Sequence, residues 1–318
     1  MKKWKNKNYL KLTAWISLAV MFCTCSSIPI FANEKEEVLN VKESPIAQIS
    51  YGNIILPNNS NYGTVLGFEN REDSIKFMPN HNVSNIFCVS ETEYKYVDER
   101  GLYESSVKVV EDGMTNSVRL MNEQAMSDIQ IQMELPDNWT IDLYRDENNE
   151  VIDGSLVVYD DEGIVVAATT CPVAFDATGE EIDTYFYFNK NNLYQTVDDE
   201  NAQYPLELGY KIVPVSSTDR FSDFFKSGEF ITRDKKISLS LGERKFDTNV
   251  SYLVDRAWDT VVRDFYAVNE KWTSNLSGME DQYKCHVNFA KNKVPWNLEP
   301  WRPDVGYVAT VAARCNPE

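Results

Sequence analysis

The chain has 318 residues, 43% of them hydrophobic, and 49 Asp and Glu against 31 Lys and Arg give a net charge of −18. The acids concentrate in residues 33–232, with 37 acids and 13 bases, whereas residues 233–318 hold 12 acids and 13 bases. Phosphate contacts need clustered Lys and Arg, so the acidic part is excluded as a nucleic-acid binder, and two widely separated histidines, His81 and His286, give no metal-ligand pattern and imply no cofactor.

Met1–Lys11 carries five lysines and no acid, Leu12–Cys25 is an apolar run of 14 residues, and SSIPIFANE follows with Ala32 before a cut. This order predicts a secretory signal peptide over residues 1–32. The apolar run is shorter than the ~20 residues of a membrane span, and no other long apolar run follows, so the mature chain carries no transmembrane span. Export places the protein outside the cell or on the cell wall, with a short flexible mature N-terminus over 33–42. Four cysteines then remain: Cys88, Cys171, Cys285 and Cys315. An even count in an oxidising compartment predicts two disulfides among three possible pairings. Cys88–Cys171 with Cys285–Cys315 is favoured, because each pair then stays within one domain.

Residues 43–214 read as an acidic β-rich domain. DIQIQMEL (Asp128–Leu135) alternates strictly, with Ile129, Ile131, Met133 and Leu135 on one face, and TEYKYVD, SSVKVVE and NSVRLM behave alike. Two hairpins are punctuated by turn residues: Leu156–Tyr159 to Ile164–Thr170 through Asp–Glu–Gly, and DTYFYFNKNNLYQTV through Asn191–Asn192. Many short strands at this spacing predict an antiparallel sandwich. His81 reads as a solvated loop residue. Arg145–Gly154 resembles a calcium loop only faintly, because Val151 stands where an EF-hand needs glycine, so it reads as a hairpin end.

Residues 215–234 carry a Pro–Ser–Thr breaker cluster and read as a linker, although Phe221, Phe224 and Phe225 suit a segment docked on a domain. The C-terminal domain, 235–318, reads as a small α+β unit. Ile237–Glu243 alternates as a strand. Val250, Leu253, Val254, Ala257, Trp258, Val261, Val262 and Phe265 share one helical face. A second helix fits Met279–Ala290, and VGYVATVAA (Val305–Ala313) reads as a strand. The fold class is therefore mainly β, an antiparallel sandwich-like N-terminal half, plus a small disulfide-stapled α+β domain.

Two stretches resemble known families. Pro172, Ala174, Asp176, Ala177, Gly179, Tyr185, Leu193, Gln195, Val197, Tyr204 and Pro205 resemble a module common in exported proteins of Gram-positive bacteria, which implies no catalytic role. Asp176 and Gly179 read there as turn residues. Asp281–Gln282, Cys285–His286, Lys293, Trp296–Glu299, Arg302–Pro303, Gly306–Tyr307 and Cys315–Pro317 resemble a domain of unknown function, number 2599, of exported bacterial proteins.

Two functional readings follow. The first is a binding or interaction module at the cell envelope or outside the cell. Its partner is a cell-wall glycan or an extracellular protein, and Trp296, Trp301 and Tyr307 could form an aromatic platform. Trp258 and Trp296 also read as core residues, and Trp301, flanked by prolines, stays open. The alternative is a secreted antibacterial effector or hydrolase. There His286 serves as acid or base, Asp281 or Glu299 orients it, and Arg302 or Lys293 stabilises an anion. Against it, His286 also reads as a hydrogen-bonded structural histidine, and a Cys285–Cys315 bridge would consume the thiol.

Overall fold

A computed structural model of the chain describes residues 37–38, 43–58, 62–79, 82–190, 192–265 and 275–318. The signal peptide expected over 1–32, the loop histidine His81 and Asn191 of the second hairpin turn lie outside the described residues. The chain divides into two compact units, Glu34–Ser217 with Val250–Tyr252, and Thr218–Asn249 with Leu253–Glu318.

The strands of the first unit are, in chain order, β1 (Glu37–Val38), β2 (Ile46–Ile49), β3 (Gly52–Ile55), β4 (Thr64–Phe68), β5 (Ser74–Met78), β6 (Val83–Ser90), β7 (Glu93–Asp98), β8 (Tyr103–Val110), β9 (Gly113–Leu120), β10 (Asp128–Glu134), β11 (Thr140–Arg145), β12 (Val151–Tyr159), β13 (Val165–Thr169), β14 (Val173–Phe175), β15 (Thr184–Asn189), β16 (Asn192–Val197) and β17 (Leu206–Pro214). Among the described residues they form a ten-stranded sheet ordered β1-β6-β7-β8-β9-β17-β13-β12-β11, with β14 also on β17, and a seven-stranded sheet ordered β15-β16-β10-β5-β4-β3-β2. The pairs are antiparallel, including β1 within the segment 33–42 expected to be flexible.

Alternation places every second side chain on one face of a strand. Ile54, Leu66, Ile75 and Phe77 from the smaller sheet thus share a buried cluster with Tyr94, Tyr96, Leu156, Val158 and Ile212 from the larger. A second cluster joins Tyr103, Leu120, Leu206 and Leu208 to Ile129 and Val197. The two sheets are the layers of a sandwich closed by these residues.

Turn carboxylates stop the strands where the sequence places turns. Asp160, 4% exposed, accepts hydrogen bonds from the Glu162 and Ile164 amides at 3.0 and 2.8 Å and from Arg71 Nη1 at 2.6 Å. Burial pushes its carboxyl up, but the Ile164 amide and the Arg71 guanidinium outweigh that and hold it below the usual range. Gly163 turns the chain there at φ +78°. Replacing Asp160 by alanine leaves Arg71 without its carboxylate and two amides without an acceptor. Urea denaturation is expected to show a loss of about 1–3 kcal/mol in this unit. Asp176 caps its turn in the same way, through Thr178, Glu180 and Gln203, with Gly179 at φ +82°. In the stretch that faintly resembles a calcium loop, Asp146 accepts the Asn148 and Glu150 amides and closes the β11–β12 hairpin.

The expected Cys88–Cys171 bridge is absent: neither cysteine is disulfide-bonded. Cys88 lies on β6 and Cys171 just past β13, five strand positions apart in one sheet. That separation is roughly 24 Å at about 4.8 Å per strand, and a disulfide needs Cα atoms within about 7 Å.

The second unit contains α1 (Phe221–Phe224), β18 (Gly228–Arg233), β19 (Lys236–Leu241), α2 (Ser251–Phe265) from Leu253 onwards, α3 (Leu276–Phe289), β20 (Trp296–Leu298) and α4 (Tyr307–Ala312). Its three strands pair in the order β18-β19-β20. The segment 215–234 therefore supplies a helical turn and a strand, and Phe224 and Phe225 are 4% and 1% exposed. The apolar stripe of α2 buries Leu253, Val254, Ala257, Trp258 and Val261. Val305–Ala313, expected as a strand, is helical over Tyr307–Ala312. Its alternation does not track burial, since Thr310 is 1% and Val308 70% exposed. Three alanines within six residues favour helix instead.

Candidate functional site

Helix α3 sets the centre of the second unit. Residues three and four apart share a helical face, so Met279, Gln282, Tyr283 and His286 all point inward, none more than 1% exposed. Trp296 on β20 closes over them. It is 0% exposed, its ring lies 5.8 Å from Tyr283 and 5.9 Å from His286, and its indole N–H donates to the Ala290 carbonyl at 3.0 Å. Arg244 stacks on this ring at 4.1 Å and donates to the Lys293 and Lys291 carbonyls. Trp296 is therefore core and takes no part in an exposed platform.

Gln282 organises the residues expected as a catalytic group. Its Oε1 accepts the Glu299 amide at 2.8 Å and its Nε2 donates to the Glu299 carbonyl at 3.2 Å. Its own carbonyl lies 2.7 Å from His286 Nδ1. A carbonyl only accepts, so Nδ1 carries the proton and Nε2 presents a lone pair, with Lys293 Nζ 3.4 Å away. Burial, the largest influence, pushes His286 down to about 4; the Gln282 carbonyl pulls it up, and Lys293 and Arg244 push it down further. His286 is thus neutral near pH 7, with both nitrogens engaged.

Glu299 and Arg302 meet each other rather than a cleft. Arg302 Nε bonds Glu299 Oε2, Arg302 Nη1 donates to the Pro317 carbonyl at 2.9 Å, and Ser238 Oγ donates to Glu299 Oε1 at 3.3 Å. The pair is 12–13% exposed and ties the turn after β20 to the C-terminus. Asp281 points elsewhere: five residues before His286, it stands about 140° around the helix. Burial and the nearby Asp304 and Glu280 charges raise its carboxyl. Tyr307 accepts a hydrogen bond from Asn288 at 2.6 Å, linking α4 to the end of α3. Cys285 and Cys315 are bridged across 30 residues.

Trp301 is 39% exposed, among several exposed apolar residues of this unit that include Phe289, Val294 and Val308. Lys236 Nζ stands 3.6 Å and the Arg302 guanidinium 4.4 Å from the Trp301 ring centroid. Lys236 follows the two-residue β18–β19 turn, where Asp234 and Lys235 both have positive φ, the geometry a tight hairpin requires. Arg233, Lys235 and Lys236 are all exposed at this tip. Sequence reading missed Lys236 and Arg244, and gave Gln282 a place in the family resemblance but no role. In the first unit, a cavity of about 50 Å³ is lined by apolar Phe77, Ile131 and Leu208 as well as polar Ser106, Asn116 and Gln195.

Comparisons with known proteins cover parts of the chain. A stretch of 48 residues is 42% identical to an uncharacterized protein of Mycobacterium tuberculosis and to one of Mycobacterium bovis, covering 14% of this chain and 32% of each relative. The match thus spans about a third of the length of those relatives. Among solved structures, a family GH92 alpha-mannosidase from Bacteroides thetaiotaomicron aligns at 12% identity and a TM-score of 0.30, over 56% of this chain and 31% of that one, too distant to support an argument. Residues 229–318, beginning within β18 and ending at the C-terminus, match the family model described as a protein of unknown function, DUF2599.

Proposed function

We propose that this is an exported bacterial protein whose disulfide-clamped C-terminal unit binds an anionic, sugar-bearing polymer of the cell envelope and performs no chemistry on it. The carrying observation is the exposed Trp301 with Lys236 over its ring, beside the basic β18–β19 tip. An indole face stacks on the apolar face of a sugar ring, while ammonium and guanidinium groups meet carboxylates or phosphates. Against the rival hydrolase reading stand the engagement of both His286 nitrogens, the Cys285 bridge and the pairing of Glu299 with Arg302. A disulfide suits an oxidising compartment, and no described helix is long and apolar enough to cross a membrane.

Sedimentation of the full mature chain with purified bacterial cell walls tests the reading. The wild type is expected to pellet, less so as salt rises, without release of wall fragments. Trp301→Ala and Lys236→Glu are each expected to weaken retention about tenfold, on the order of 1–2 kcal/mol. Retention unchanged in both variants, or fragment release by the wild type, would contradict it.

A further inference from the structure

The outer face of the seven-stranded sheet carries a second surface of defined chemistry, in the first unit. Its end strand β15 pairs with β16, and β16 with β10. Phe186, Leu193, Gln195, Val197 and Ile129 are buried, so the alternate residues of these strands face outward. Register aligns those residues in three rows. Tyr185, Thr196 and Asp128 form the first; Tyr187, Tyr194 and Gln130 the second; Asn189 and Asn192 the third, with Gln132 next along β10.

These nine positions hold three tyrosines, two asparagines, two glutamines, one threonine and one aspartate, with no base and no aliphatic residue. The rings are held in place. Tyr187 stacks on Tyr194 at 5.2 Å and 15°, and Tyr185 lies 6.2 Å from Tyr187. Tyr185 is 56% exposed. At the usual strand spacing and rise, the face measures about 10 by 14 Å.

We propose that this face binds an uncharged polysaccharide. A sugar ring offers apolar C–H faces, which phenol rings accept, and a rim of hydroxyls that both donate and accept. Carboxamides and a threonine hydroxyl also do both, and the stacked rings reduce the ordering cost of binding. Charge selects among partners. Among the nine positions a polyanion would meet Asp128 and no base, on a half of the chain that holds 37 acids and 13 bases, although Lys190 borders the Asn189–Asn192 end. A protein partner would be expected to find an apolar anchor region, and none of the nine positions is aliphatic. Because β15 ends the sheet among the described residues, a polymer can run past its edge. This surface is independent of the Trp301 patch, so either can fail alone.

Affinity electrophoresis of the full mature chain through gels containing amylose, a mixed-linkage β-glucan or a β-mannan, with heparin as the anionic control, tests it. At least one uncharged polymer is expected to retard the wild type. Tyr185→Ala and Tyr194→Ala are each expected to weaken that retardation about tenfold, Gln130→Ala less, and Trp301→Ala not at all. Tyr185 is exposed enough for its variant to keep the wild-type melting curve, which separates lost binding from lost folding. Retardation by none of the three polymers, or by heparin alone, overturns the proposal, as does retardation unchanged in both tyrosine variants. Self-association of the wild type that Tyr185→Ala abolishes would assign the face to a second copy and overturn it equally.

Discussion

Replacing Cys285 and Cys315 by alanine is expected to lower the stability of the C-terminal unit by about 3–4 kcal/mol, because the bridge closes a loop of 30 residues in the unfolded chain. The folded state gives a further reason. Helix α4 has six residues, exposes Val308, and is tied to α3 through the bridge and the Asn288–Tyr307 hydrogen bond. So short a helix has little intrinsic stability without such fastening. Urea denaturation followed by tryptophan fluorescence, with and without reductant, measures the loss. Reductant is expected to destabilise the wild type and leave the double variant unchanged, since Cys88 and Cys171 are not bridged. An equal effect of reductant on both proteins would contradict this.

Acid is expected to destabilise the same unit through His286. The folded imidazole sits at about 4, below its ordinary 6.5. Between those values the unfolded chain binds a proton that the folded chain refuses. The stability associated with neutral His286 is therefore complete above about pH 6.5 and is lost as pH falls towards 4. A shift of this size corresponds to a loss of about 3 kcal/mol. Carboxylates titrate in the lower part of the window, so the measurement is a difference: unfolding free energies of wild type and His286→Gln from pH 7.5 to 4. The gap between the two curves is expected to change by about 3 kcal/mol across that range, with the wild type the steeper. Parallel curves would mean that His286 titrates normally and is accessible.

Much of the fold is legible because its periods are clean. Asp128–Leu135 alternates, and β10 buries Ile129 while leaving Asp128, Gln132 and Glu134 exposed. The three- and four-residue steps of Val250–Phe265 give α2. What local pattern conceals is partnership between distant strands. The tyrosine face requires β16 to lie on β10, more than 50 residues earlier, and no residue in either strand specifies that neighbour. Likewise β19 on β20 pairs Leu239 with Leu298, bringing Lys236 and Arg244 towards Trp301 and Trp296. The absent Cys88–Cys171 bridge is the same lesson, because an even cysteine count carries no strand order. Gln282 left one readable sign: a carboxamide one turn before His286 on an apolar helical face is placed for a buried polar contact. The failure at Val305–Ala313 is local, where valine and threonine alternation outweighed the alanines of a helix too short to show its own period.

The account rests on the Cys285–Pro303 region holding the unit together rather than reacting, and the protonation state of His286 tests that most directly. Long-range ¹⁵N–¹H correlation of the full mature chain assigns the tautomer and follows it with pH. The expected result is a neutral ring at pH 7 with the proton on Nδ1, and no titration until well below pH 5. A proton on Nε2, or titration near pH 6.5, would contradict the account and return His286 to the candidates for chemistry.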